Sequence, residues 1–223
     1  MYISYLGLIV VSLVLGLGTQ WYIKHAYKKW SKVSIDSNET GAQVARRFLD
    51  SEGLRSVPIH PNGGEDLSDY YDPRSDALYL SGGSERGRTV AGVAVACHEA
   101  GHAVQHARNY GPARVRMAIV PVVNIGSELW MIVLMAGIFL NVAGLVDLGI
   151  ILFVFVVAFQ LVTLPVEFDA SRRAMQFISS DVRVSSEQAA GARQVLTAAA
   201  LTYVASALTS ILQLLYLLQQ RRD

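Results

Sequence analysis

A single cysteine, Cys97, in a chain of 223 residues excludes an intramolecular disulfide and a cysteine-rich zinc module. On a helix it points about 100° away from its neighbour His98, so it reads as a small buried residue. Charge is scarce as well. Asp, Glu, Lys and Arg together make up 17% of the residues, against about a quarter in ordinary soluble chains. A net charge of +1 lacks the electrostatic footprint of a nucleic-acid binder, so no nucleic acid is expected as partner. No internal repeat or low-complexity stretch is visible, and the length suits one ordinary domain with an appendage.

What fills the space left by charge is apolar sequence. Ile3 to Ile23 has no charged residue and is long enough to cross a bilayer. It lacks a basic n-region and a small-residue cleavage site, so a retained anchor over 1–23 is expected rather than a signal peptide. Ala118 to Leu140, carrying only Glu128, and Leu148 to Val166 form a hairpin of two further spans over 118–166. Val195 to Leu218 is a fourth candidate, diluted by Thr197, Thr202, Ser206, Thr209, Ser210 and Gln213, and it can be read as spanning or as packed on the other helices. The class is therefore a mainly α integral membrane protein with three to four transmembrane helices in a lipid bilayer.

Thirteen of the nineteen basic residues lie between Lys24 and Arg116, and Arg172, Arg173, Arg183 and Arg193 fall between the third and fourth apolar segments. The positive-inside rule places 24–117 and 167–194 on the cytoplasmic side. Arg221 and Arg222, in 195–223, argue mildly against this if the fourth segment crosses fully. Within 24–117, Thr40 and Gln43 form a capping box opening a helix over Gly41–Ser51, with Gly53 as its stop. Val57–His60 reads as a strand, and Leu67–Tyr71 with Ala77–Ser81 as a hairpin around the turn sequence Asp72–Asp76. Arg88 to Arg108 reads as a buried core helix, and Pro165 is expected to interrupt the third span before a helical pattern resumes over Val166–Ile178. Ser185 and Gln188 form a second capping box at the start of the last helix. Together these elements predict a small cytoplasmic α+β part.

The core helix contains His98-Glu99-Ala100-Gly101-His102, an HExxH pattern. Histidines four residues apart share one helix face and can reach one metal ion, while the glutamate lies over the open position and takes a proton from water. Catalytic zinc usually keeps three protein ligands, so one is missing. His106 is about 12 Å further along the same helix, too far for one ion. The spacing HExxHxxGxxH fails because Gln105 and Arg108 stand where glycine and histidine are required. Glu128 lies about 15 Å deep in its span. Glu167, at the cytoplasmic foot of the third span, is better placed, and Glu167 to Arg173 also supplies groups able to orient ligands.

Several stretches occur in order along the chain: Thr40-Gly41-Ala42 with Val44-Ala45-Arg46-Arg47, Leu67 to Arg74, His98 to Ala107, Pro165 to Ala174, and Leu201 to Ala205. On these the chain resembles the YugP-type bacterial membrane zinc metallopeptidases. The resemblance implies a zincin-like peptidase of the bacterial plasma (inner) membrane, and for a peptidase so located the expected substrates are peptides or membrane proteins. The arrangement is also similar to the gluzincins, whose third ligand is a glutamate on a later helix, supported by an aspartate four residues on. Here that position is Ser171, and an acid stands instead at Asp169.

The expected site has His98, His102 and Glu167 holding one Zn2+ per chain, with Glu99 as general base. Asp169, Ser171, Arg172, His106 and Tyr203 are candidates for orienting ligands or stabilising the transition state, and Tyr70 and Tyr71 mark a strand edge for substrate. Rival readings are an intramembrane protease, whose Asp-Gly motif is broken here as Asp147-Leu148-Gly149, a divalent-metal transporter, for which only Glu128 is suitably deep, and a zinc-binding protein without catalysis. Oligomeric state is not specified by the sequence.

Overall fold

The structure, a computed structural model, describes residues 4–221. Among them are seven helices and three strands in the order α1 (Tyr5–Trp30), α2 (Gly41–Ser51), β1 (Ile59–Pro61), β2 (Tyr70–Asp72), β3 (Ala77–Leu80), α3 (Gly82–Glu85), α4 (Val90–Ala107), α5 (Gly111–Phe139), α6 (Ala143–Asp181) and α7 (Ser186–Gln220). The protein is mainly helical, and α1, α5, α6 and α7 are each long and apolar enough to cross a membrane. The described residues divide into two compact units, one of 4–19, 111–165 and 202–221, the other of 20–110 and 166–201.

In the first unit α5 and α6 pack backbone to backbone. A Cβ on Gly149 would lie 2.8–2.9 Å from Leu134, so only glycine admits this approach. Trp130 and Phe153 meet across the same pair with ring centroids 4.4 Å apart. Outward-facing Leu17, Ile132 and Phe139 are exposed, a surface suited to lipid rather than water.

The second unit has a water-soluble type of core. Thr40 and Gln43 close the expected capping box on α2, each side chain bonding the other's backbone N–H (3.2 and 2.9 Å), which stabilises the helix by about 1 kcal/mol. Thr89 caps α4 by accepting from the Gly92 N–H, and Asn109 at φ 52° ends the helix in the left-handed region. Val44, Leu49, Leu78, Leu80, Val93 and Ile178 are fully buried between α2, α4, the sheet and α6. Burial of each large aliphatic side chain contributes about 1.5–3 kcal/mol. The sheet order is β1-β3-β2, with β1 parallel and β2 antiparallel to β3. Ser185 and Gln188 form the second capping box, opening α7.

Two expectations need correction. The strands are shorter and shifted, with β2 at 70–72 rather than 67–71 and β1 ending at Pro61 rather than His60. The cause is that Leu67 has φ 66° and Ser68 closes a turn on Glu65, so no extended run begins before Tyr70. Pro165 does not interrupt the helix: α6 runs on from Ala143 to Asp181. A proline deletes one backbone bond from the ladder, and a helix held by packing on both sides carries that loss. Glu167 therefore lies in the middle of a helix, not at an N-terminus. The last helix begins at Ser186, where the Ser185–Gln188 capping box places it.

Candidate metal centre

Helix α4 puts His98 and His102 on one face, their rings edge to face with centroids 4.7 Å apart. Glu167 comes from α6, within the same compact unit. What brings α6 so near is Gly101. A Cβ there would sit 2.8 Å from the Ala170 carbonyl oxygen and 3.2 Å from its Cα, so any larger residue would hold the helices apart. The glycine inside HExxH is thus the contact that admits the third residue.

The three candidate donors converge. His98 Nε2 is 3.2 Å from Glu167 Oε2, His102 Nε2 is 3.2 Å from His98 Nε2, and His102 Nε2 is 3.6 Å from Glu167 Oε2. Ligand atoms at the corners of a tetrahedron with zinc-like bonds are separated by about 3.4 Å. The triangle therefore fits one tetrahedral ion, and the donor set of two imidazoles and a carboxylate leaves a fourth position open. These are the residues of the chain that form a possible metal site among those described. His106, Asp169 and Glu128 are outside it.

Each imidazole is also held from behind. Ser171 Oγ lies 3.1 Å from His98 Nδ1, so the residue in the position where an aspartate was expected still makes the contact. His102 Nδ1 lies 3.0 Å from Oε1 of Gln105, a residue 1% exposed that in sequence stands out only as a break in a longer motif. Asp169 touches neither histidine. It accepts from Gln105 at 2.9 Å and from Arg173 at 2.6 Å, and it pairs with Arg172. The signal for Gln105 was available: an uncharged polar residue one turn after a ligand, inside an otherwise apolar buried helix.

Glu99 is buried at the same place. Burial raises its carboxyl above the ordinary range, partly opposed by His98 and His102. Asp69 adds to that rise, a residue with no role assigned from sequence, and its own carboxyl is raised by burial against hydrogen bonds from Ser81. A carboxyl raised in this way exchanges its proton nearer neutrality, as an acid–base group must. For His102 burial works downward, but its bond to the Glu167 carboxylate and the charge of Glu99 prevail and raise it.

Beyond the cluster, Tyr71 OH lies 2.5 Å from His106 Nδ1 and 2.6 Å from Asp76 Oδ1. Burial and the Asp76 contact push the phenol upward, so it stays protonated. Tyr70 stacks on Tyr79 with centroids 4.9 Å apart and is half exposed on β2, an edge strand that packs beside α4. Tyr203 is on α7, in the other compact unit. Cys97 is fully buried, and burial pushes its thiol up, away from the reactive thiolate.

A helical protein with four potential spans and a His–His–Glu candidate centre on an HExxH helix defines a class, and comparison with known proteins gives the family. The chain belongs to the family described as "Putative neutral zinc metallopeptidase", whose model matches residues 5–222. Among its relatives, "Putative membrane protease YugP" of Bacillus subtilis (strain 168) is 44% identical over 211 residues, covering 95% of this chain and 93% of that protein. No solved structure matches the chain.

Proposed function

We propose that this protein is a membrane-bound zinc endopeptidase of gluzincin type, cleaving peptides or membrane proteins at the cytoplasmic face of the bacterial plasma membrane. The observation that carries the reading is the triangle of His98, His102 and Glu167 donors at 3.2, 3.2 and 3.6 Å, with Glu99 buried beside it. The family and the name of the Bacillus relative support the same reaction. The cytoplasmic assignment is supported by the lysines and arginines of 24–117 and 167–194.

His98 and His102 would hold one zinc ion per chain through Nε2, and Glu167 through Oε2. When bound, the ion supplies Lewis acidity to a water nucleophile and to the scissile carbonyl. The Glu99 carboxylate takes the proton from the attacking water and returns it to the leaving amine. Tyr71 and His106, bonded to one another, are candidate donors for the oxyanion. The edge of β2 at Tyr70 and Tyr71 offers backbone groups on which an extended peptide pairs as an added strand. An intramembrane-protease reading gains nothing from Asp147, which is bonded to Arg221 at 2.8 Å.

Glu99→Gln preserves shape and removes the base. The purified full-length variant is expected to keep its zinc and to lose hydrolysis by at least about a hundredfold. Hydrolysis at the parental rate would end the assignment of Glu99.

A further inference from the structure

We propose that Gln105 is a positioning residue for the metal centre, its side-chain amide fixing both the tautomer and the orientation of His102. The inference rests on the reading of His98, His102 and Glu167 as zinc ligands.

A carboxamide has one oxygen acceptor and two N–H donors, and here all are used. Oε1 faces His102 Nδ1 at 3.0 Å. Nε2 donates to the Val166 carbonyl at 2.7 Å and to Asp169 Oδ2 at 2.9 Å. Both of those partners only accept: a backbone carbonyl, and a carboxylate bonded to Arg173 at 2.6 Å and paired with Arg172. Turned over, the amide would aim its oxygen at two acceptors in a buried site, leaving them unsatisfied. The amide therefore has one allowed orientation, and its oxygen requires the proton on His102 Nδ1. The lone pair is then on Nε2, the atom that points at His98 and Glu167.

The Ser171 hydroxyl behind His98 can donate or accept, so it imposes no tautomer. Gln105 is the group that does. Val166 and Asp169 flank Glu167 in the chain, so the bonds that lock the amide also tie α4 to the turn of α6 bearing the third donor. A neutral amide thus takes the place of a carboxylate behind a ligand histidine, with the charge of Asp169 one bond further out.

The test uses the full-length chain in detergent, with zinc dissociation constants from chelator competition, visible spectra of the cobalt-substituted protein and melting of the metal-free form. Gln105→Met keeps the volume and removes every hydrogen bond. It is expected to bind zinc about 10–100-fold more weakly, the usual effect of removing a group behind a ligand, and to alter the tetrahedral cobalt spectrum. Zinc binding by Gln105→Met within threefold of the parent, with an unaltered cobalt spectrum, would overturn the inference. If Gln105→Met does not fold, Asp169→Asn serves instead, because it removes the acceptor-only partner without touching His102. A loss of about three- to tenfold is expected from it, and unchanged affinity overturns the proposal. A parent chain that binds no zinc would refute the underlying site assignment instead, a separable result.

Discussion

In the proposed centre His102 is the group at which proton and metal compete. Glu167 and Glu99 raise its basicity against the opposing effect of burial, so without metal it holds a proton above the ordinary imidazole range. A folded-state pKa above the unfolded one contributes stability that is complete below about pH 6.5 and is lost as pH rises through the raised value. Zinc needs the neutral ring and stabilises the folded state by mass action. The two effects have opposite slopes, so the rise in melting temperature on adding zinc should grow as pH increases across that window. Melting curves of zinc-loaded and metal-free protein between pH 5.5 and about pH 8.5 check this, and a zinc-induced shift that is flat with pH would refute it. The proposed ligands His98 and His102 were legible because four-residue spacing is a local property of the sequence. Gln105 was not, because its meaning depends on Val166 and Asp169, about sixty residues away, which turn an unremarkable polar side chain into a fixed acceptor.

At the level of elements, the site depends on how closely α4 and α6 approach. Gly101→Ala places a methyl 2.8 Å from the Ala170 carbonyl, a backbone atom that cannot rotate away. The helices must separate, at a cost of about 1–3 kcal/mol, and zinc binding should weaken with them. Gly16→Ala, with nothing within 4 Å of its added Cβ, is the matched control and should leave both properties unchanged. Melting temperature and zinc affinity of the pair decide the matter, and equal behaviour of the two variants would contradict the packing argument. Helix starts were readable, since Thr40 with Gln43 and Ser185 with Gln188 are short-range bonding patterns. The strands were misplaced by two or three residues because three-residue strands have almost no periodicity to read, and the backbone at Leu67 decides where β2 begins. Pro165 misled for a related reason: its local preference is overridden within a continuous helix of 39 residues.

For the molecule as a whole, the apolar segments and the scarcity of charge already specified a mainly helical membrane-type chain, and four helices of spanning length carry that through. What composition could not supply was the joining of residues 69 positions apart, His98 and Glu167, into one cluster. That joining is a property of the folded second unit, and the function rests on it. The most direct test is zinc K-edge X-ray absorption of the purified full-length protein. The account predicts two imidazole nitrogens and oxygen donors at about 2.0–2.2 Å, with no sulfur shell. A sulfur shell near about 2.3 Å, or a single imidazole, would contradict a centre built from His98, His102 and Glu167.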